Sequence, residues 1–193
     1  MASSSLVRYM TDVIVVGGGP AGTSAGIFTA KNGLETVVYD TDESWLHKAH
    51  LFNYPGIESI DGSTLIERTR SQAEEFGVEF RTEEVTGVSR NGDGFEVEAD
   101  GESIAADYLV LATGANRDLA EDIGAAFTDS GTVDVGVAME TSVEGAYATG
   151  AMVRAEEWEA VISAGDGAAA ALNILSKEKG EHYHDFDVPS DAE

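Results

Sequence analysis

The first regular feature of the chain is an apolar, β-branched run, Asp12-Val13-Ile14-Val15-Val16, that stops in three glycines. A run of this kind, without polar alternation, predicts a strand buried on both faces, as in a parallel sheet. Small and apolar residues fill 21–32 and Asn32-Gly33 punctuates them, so a helix is expected there. Residues 35–39 return to strand character and close a βαβ unit. Leu65, Ile66, Ala73 and Phe76 then recur at helical spacing, which predicts a second helix over 61–76 capped by Asp61 or Ser63.

Between 78 and 106 the period shortens. Four short strands are expected at 78–81, 84–89, 95–99 and 103–106, with turns at Asn91-Gly92-Asp93-Gly94 and Asp100-Gly101 arranging them as a hairpin or meander. Tyr108-Leu109-Val110-Leu111 is again a parallel-type strand and runs into Ala112-Thr113-Gly114. A short strand over 145–150 ends in a glycine turn, a last helix is expected over 157–175, and 182–193 is polar and frayed. Together these elements predict an α/β, Rossmann-like fold with a central parallel sheet and a small antiparallel β-meander. It forms one domain over 10–180, with flexible ends at 1–9 and 181–193.

Composition narrows the chemistry. Thirty-six acidic against eleven basic side chains give a formal charge of −25, which repels nucleic acid and anionic membranes in dilute salt. The acid excess and the four lysines resemble the adaptation of proteins that work in concentrated salt, where the screening length falls to about 3 Å. With no cysteine the chain has no disulfide, no thiolate metal site and no dithiol redox chemistry, so any redox activity must come from a cofactor. No apolar run approaches the roughly 18 residues of a membrane span, and residues 1–10 lack a secretory apolar core, so a cytoplasmic protein is expected.

Gly17-Gly18-Gly19-Pro20-Ala21-Gly22 satisfies G-x-G-x-x-G directly after a strand and at the start of a helix. In that setting Gly17 permits the tight turn and Gly19 lets backbone approach a pyrophosphate. Gly22 lets helix and strand pack closely, while the helix N-terminus faces the phosphate charge. Asp40 lies at the end of the second strand, about 20 residues on, where a carboxylate accepts ribose hydroxyls and disfavours a 2′-phosphate. Turn and acid together make the expected fold a Rossmann-like FAD/NAD(P)-binding fold, although the fingerprint alone does not separate FAD from NAD.

Over nearly its whole length the chain resembles the thioredoxin reductases and related flavoproteins of the pyridine nucleotide-disulphide oxidoreductase family. Asn53-Tyr54-Pro55-Gly56 with Ile60-Asp61-Gly62 is similar to that family's flavin-side loop, and Ala112-Thr113-Gly114 to its second nucleotide signature. Gly131 to Asp134 and then Thr141 to Gly150 resemble the approach to the FAD ribityl site, and Ala160 to Ala170 the closing helix. The resemblance implies a bound FAD. It adds Pro20, Ala21, Asn53, Val85, Thr113, Gly114, Gly150, Ala151, Glu159 and Ala160 to the cofactor-binding set of Gly17, Gly19, Gly22 and Asp40. It implies no metal site and points to no catalytic side chain. In the family a nicotinamide domain with a catalytic Cys pair stands between the Ala-Thr-Gly signature and the return to the FAD domain; here only 115–144 fills that gap. The chain thus resembles the FAD domain alone, without thioredoxin reductase activity.

Three departures bear on that reading. The family's glycine-rich flavin loop falls on Asp42-Glu43-Ser44-Trp45, the Asp expected after the last glycine is Ala151, and the Gln that opens the closing helix is Glu159, beside Glu156 and Glu157. Trp45 or Tyr54 could stack on the isoalloxazine or simply pack. His47 and His50 are expected at the surface, and His182 and His184 in the polar tail. The functions in view are an FAD-dependent oxidoreductase exchanging electrons with an unidentified donor or acceptor, such as a protein, and a non-catalytic nucleotide-binding or regulatory module. An enzyme using NAD is the third. No nucleic acid and no membrane is expected as a partner, and the resemblance implies a homodimer.

Overall fold

The computed structural model describes residues 10–188. The first strand, β1 (Met10–Val16), leads through the glycine turn into α1 (Pro20–Lys31), which returns the chain to β2 (Thr36–Tyr39). A two-stranded ribbon follows, β3 (His50–Leu51) against β4 (Ile60–Asp61), and then α2 (Gly62–Glu75), whose N-cap Asp61 accepts a hydrogen bond from the Ser63 amide at 3.0 Å. Next come β5 (Glu79–Arg81), β6 (Val85–Asn91), β7 (Gly94–Ala99) and β8 (Glu102–Leu111). After a short helix, α3 (Asp118–Asp122), the chain runs irregularly to β9 (Ala146–Ala148) and ends in α4 (Ala160–Lys179).

Seven of these strands form one mixed, mostly parallel sheet in the order β5-β2-β1-β8-β7-β6, with β9 on the other half of β8. β1, β2, β5, β8 and β9 are mutually parallel, whereas β6, β7 and the first half of β8 make the antiparallel meander. The period of two along each strand divides the core in two. Val13, Val15, Val38 and Val110 face α1, α2 and α4, meeting Ala25, Ala73, Ala170 and Ile174. Ile14, Val16, Leu109 and Leu111 face the other way and pack on Val97, Phe95 and Ile123 of the meander and α3.

The structure corrects three expectations. The strand at 78–81 is not part of the meander: β5 adds to the parallel edge beyond β2, with α2 as its crossover. The strands expected at 103–106 and 108–111 are one, because β8 pairs with β7 through its first half and with β9 through its last three residues. Polar Asp107 marks only a change of neighbour. The last helix begins at Ala160 rather than 157, since Glu159 is an extended N-cap, and it runs on to Lys179 before Gly180 stops it in the left-handed region (φ +68°).

Within the segment 181–193 expected to be flexible, residues 183–185 make contacts with the body of the domain. Lys31 Nζ bonds Asp185 at 2.8 Å, the Tyr183 hydroxyl bonds the Asn32 side chain, and the Tyr183 amide donates to Ser176 Oγ at 3.0 Å. The ends expected to be flexible at 1–9 and 189–193 lie outside the described residues. Among the described residues no helix is long and apolar enough to cross a membrane.

Candidate functional site

The parallel strands end in register. Val16 stands opposite both Tyr39 and Leu111, and Leu111 opposite Ala148, so four chain segments leave the sheet at one edge. Backbone bonds carry the alignment one step further: Gly17 donates to the Tyr39 carbonyl, Asp40 to Arg81, and Ala112 to Val16, each at 2.8 Å, while Thr149 donates to Leu111 at 2.9 Å. The crevice beyond the carboxyl ends of such strands is where open α/β sheets bind ligands.

The glycine turn fills its place for steric reasons that can be stated atom by atom. Gly17 has φ +108°, and a Cβ there would lie 2.2 Å from the Ala112 carbonyl oxygen. On Gly22 it would lie 1.8 Å from the Gly17 oxygen. At Gly19 the nearest atom would be Ser44 Oγ, at an ordinary contact distance of 3.5 Å, so a Cβ here meets no clash within the chain. Gly19 is also the N-cap of α1 with no side-chain cap, and Pro20 follows it, leaving leading amides of α1 directed into the crevice.

Asp40 follows β2 directly. It is 6% exposed, its Oδ1 accepts from the Asp42 amide at 3.1 Å, and Arg70 Nη1 stands 3.7 Å from its Oδ2. Gly18, passed over as a variable position of the fingerprint, makes room for it: a Cβ there would lie 2.2 Å from the Asp40 carboxyl carbon. Its sequence signal was only its place in a glycine triplet.

These segments enclose a cleft of about 740 Å³, within the range of roughly 300 to 1,000 Å³ typical of small-molecule sites. Gly17, Gly19, Pro20, Ala21 and Asp40 line one side; Val85, Thr113, Gly114, Gly150, Ala151 and Ala160 line the rest. Gly22 lies beneath the turn rather than in the wall. Asn53 and Glu159 are not in the wall either: Asn53 Nδ2 donates to Glu159 Oε2 at 2.8 Å, joining the loop between β3 and β4 to the start of α4. Thr113 Oγ1 donates to the Asn116 carbonyl at 2.7 Å, and Gly114 and Gly150 take positive φ of +65° and +69°.

Other side chains complete the site. Trp45 and Trp158 both line the cleft, 61% and 44% exposed, with ring centroids 5.5 Å apart, whereas Tyr54 packs with Leu51, Ile60 and Leu65. Arg117 and an Asp166–Arg154 ion pair brace the wall from behind. The Asp166 hydrogen bond raises the Arg154 pKa. Asp166 was visible in the sequence as the one acid in an otherwise small and apolar helix stretch, at the spacing of the buried residues Ala170 and Ile174. Six carboxylates, Asp40, Glu43, Glu83, Glu84, Asp118 and Asp122, line the cleft, and no Lys or Arg is among its described lining residues. His47 is half-buried, bonded to Ser63 Oγ and Asp42 Oδ1 at 2.9 Å each, and His50 bonds Ser59 at 2.8 Å. Among the described residues no three His, Asp or Glu side chains converge as a metal-holding group.

The sequence profile of the pyridine nucleotide-disulphide oxidoreductases matches residues 57–168, and that of an FAD-binding domain matches residues 10–77. This chain belongs to the pyridine nucleotide-disulphide oxidoreductase family. It is similar to mitochondrial thioredoxin reductase 1 of Arabidopsis thaliana, 29% identical over 192 residues that cover 93% of this chain and 49% of that one. With the thioredoxin reductase of Aquifex aeolicus it shares 36% identity over 109 residues, 54% of this chain and 34% of the other. The chain thus spans at most about half the length of these two relatives. In fold it resembles a thioredoxin reductase from Gloeobacter violaceus, with a TM-score of 0.84 at 21% identity over 94% of this chain and 99% of that one. An atypical thioredoxin reductase from Desulfovibrio vulgaris Hildenborough gives 0.82 at 19% identity, over 89% and 99%. In fold the described chain follows the thioredoxin reductase plan, and its first part matches an FAD-binding domain.

Proposed function

We propose that this chain binds FAD and acts as a flavin-carrying oxidoreductase that exchanges electrons with a separate donor or acceptor. The observation that carries the reading is the meeting of the glycine turn, Asp40 and the Gly150 turn in one cleft at the carboxyl edge of the sheet. The cradle fits a dinucleotide: backbone from Gly17 to Gly22 and the start of α1 hold the pyrophosphate, and Asp40 accepts the ribose hydroxyls. Val85, Thr113, Gly150, Ala151 and Ala160 line the remaining length. When bound, the flavin supplies the electron chemistry, which a chain without cysteine cannot supply from a dithiol.

A second reading, a nucleotide-binding module without turnover, draws on the six lining carboxylates and on Ala151, which presents no polar side chain to the cleft. The test begins with the absorption spectrum of protein purified in molar salt, followed by heat release and chromatography of the cofactor. A yellow protein that releases FAD supports the flavin reading and sets aside NAD as principal cofactor. Folded, colourless protein that takes up no added FAD sinks it. Loaded protein that stays inert toward every artificial electron acceptor favours the module.

A further inference from the structure

The wall of the cleft at Gly150 and Ala151 belongs to a single 3₁₀ turn, Gly150–Val153, with no side-chain cap of its own. It is wedged between two helices: a Cβ on Gly150 would lie 3.4 Å from both Ala21 of α1 and Ser163 of α4. Such a turn has few internal bonds with which to keep its place. Three charged side chains grip it from outside.

Asp166, reaching from α4, accepts the Gly150 amide at 3.3 Å and binds Arg154 through Nε at 3.0 Å, with a second contact from Nη2. Its carboxylate is buried behind the wall, so both ends of the turn close on one anion. Arg117 takes the carbonyls from the other side. Its Nε donates to Met152 at 2.9 Å, and Nη2 to Ala151 at 3.4 Å and Arg154 at 3.5 Å. Its Nη1 donates to Ala115 at 3.3 Å, which ties this turn to the Thr113–Ala115 stretch of the cleft wall. Each of the two arginines is engaged in holding backbone or carboxylate.

We propose that Asp166, Arg154 and Arg117 are positioning residues for the cofactor, acting through Gly150 and Ala151 to set the gap between this wall and the glycine turn. The proposal rests on the FAD reading. Ala151 offers no side-chain hydrogen bond, so the fit on this side depends on where the backbone stands, and small displacements of a binding wall are costly. Charge-assisted hydrogen bonds are the means, because they are roughly twice as strong as neutral ones.

The test compares wild type, Asp166→Asn and Arg117→Met by two readouts, amide exchange in the unloaded protein and FAD titration by fluorescence. Exchange at residues 150–152 should quicken about tenfold or more in each variant, and the FAD Kd should rise about tenfold, with full stoichiometry retained at saturation. Arg117→Lys, which keeps the charge but not the fork, should recover only part of the affinity. Should Asp166→Asn fail to fold, the Arg117 pair carries both readouts. Variants that exchange like wild type overturn the proposal. So does a lowered Tm with an unchanged FAD Kd, which would make the trio a stability feature only. Wild-type protein that takes up no FAD overturns the flavin reading and the proposal together, and is distinct from the case in which wild type and variants bind equally well.

Discussion

Gly18 and Gly22 separate binding from folding. A methyl on Gly18 would lie 2.2 Å from the Asp40 carboxyl carbon and 2.6 Å from its Cβ, so Asp40 must turn its carboxyl and also shift as a residue, whereas a methyl on Gly22 would lie 1.8 Å from the Gly17 backbone oxygen, which cannot move without undoing the turn. Gly18→Ala should therefore leave a folded protein that has lost about tenfold or more in FAD affinity at a stability cost of about 1–3 kcal/mol. Gly22→Ala should unfold the domain or lower its Tm sharply. Paired thermal melts and FAD titrations distinguish the two, and equal losses in both readouts would show that Asp40 is not free to move. Asp107 offers a pH test far from the site. Partial desolvation of this largely exposed carboxyl, then the charges of Asp12 and Glu178, raise its pKa, and solvent screening keeps the effect small. The native state thus holds this proton to higher pH than the unfolded chain does. Stability contributed by the protonated form is complete below the unfolded carboxylate value near 3.9 and is lost as pH rises through the raised native value. Asp107→Asn should raise Tm slightly at neutral pH and do nothing at about pH 3; a gain that persists unchanged at low pH would assign the effect to packing instead.

Where an element is specified locally, the sequence discloses it. β1, α1 and the glycine turn were legible because a buried run, a helix start and the turn residues all coincide within about a dozen positions. β5 was not, because three residues of strand character look the same beside a parallel neighbour as in a meander, and only the α2 crossover decides. The contacts closing the cleft were equally hidden. Trp45–Trp158 and Asn53–Glu159 join stretches more than 100 positions apart, and no local pattern pairs them. Those two contacts tie the loops on either side of β3 to the segment before α4, and the tryptophan pair lines the cleft. An aromatic pair contributes about 0.5–1.5 kcal/mol beyond its area. If the pair must part for the cofactor to leave, Trp45→Ala should speed FAD release up to about tenfold in stopped-flow measurements, and Trp45→Phe should restore most of the wild-type rate. Equal release rates in all three would place the exit path elsewhere.

Over the molecule as a whole, charge sets the conditions under which the site can work. Ligands with phosphates normally bind through Lys and Arg, and salt weakens them by screening those contacts. Here the described wall carries six carboxylates and no basic side chain, on a chain of net charge −25, so the long-range field opposes a pyrophosphate. Short-range backbone donors at the glycine turn must overcome that field, and hydrogen bonds to fixed amides are little affected by screening. Salt therefore removes more repulsion than attraction, and the usual sign reverses. Raising KCl from about 0.1 M to 1 M shortens the screening length from about 10 Å to 3 Å, and FAD affinity should strengthen by about tenfold over that interval. Stability should rise with salt for the same reason, since self-repulsion loosens the fold, so the titration needs a control that separates the two. Sucrose stabilises the compact state without screening charge. Affinity that rises in KCl but not in sucrose would assign the effect to the field in the cleft; an equal rise in both would assign it to folding, and a fall in KCl would mean that the net field at the site is attractive after all.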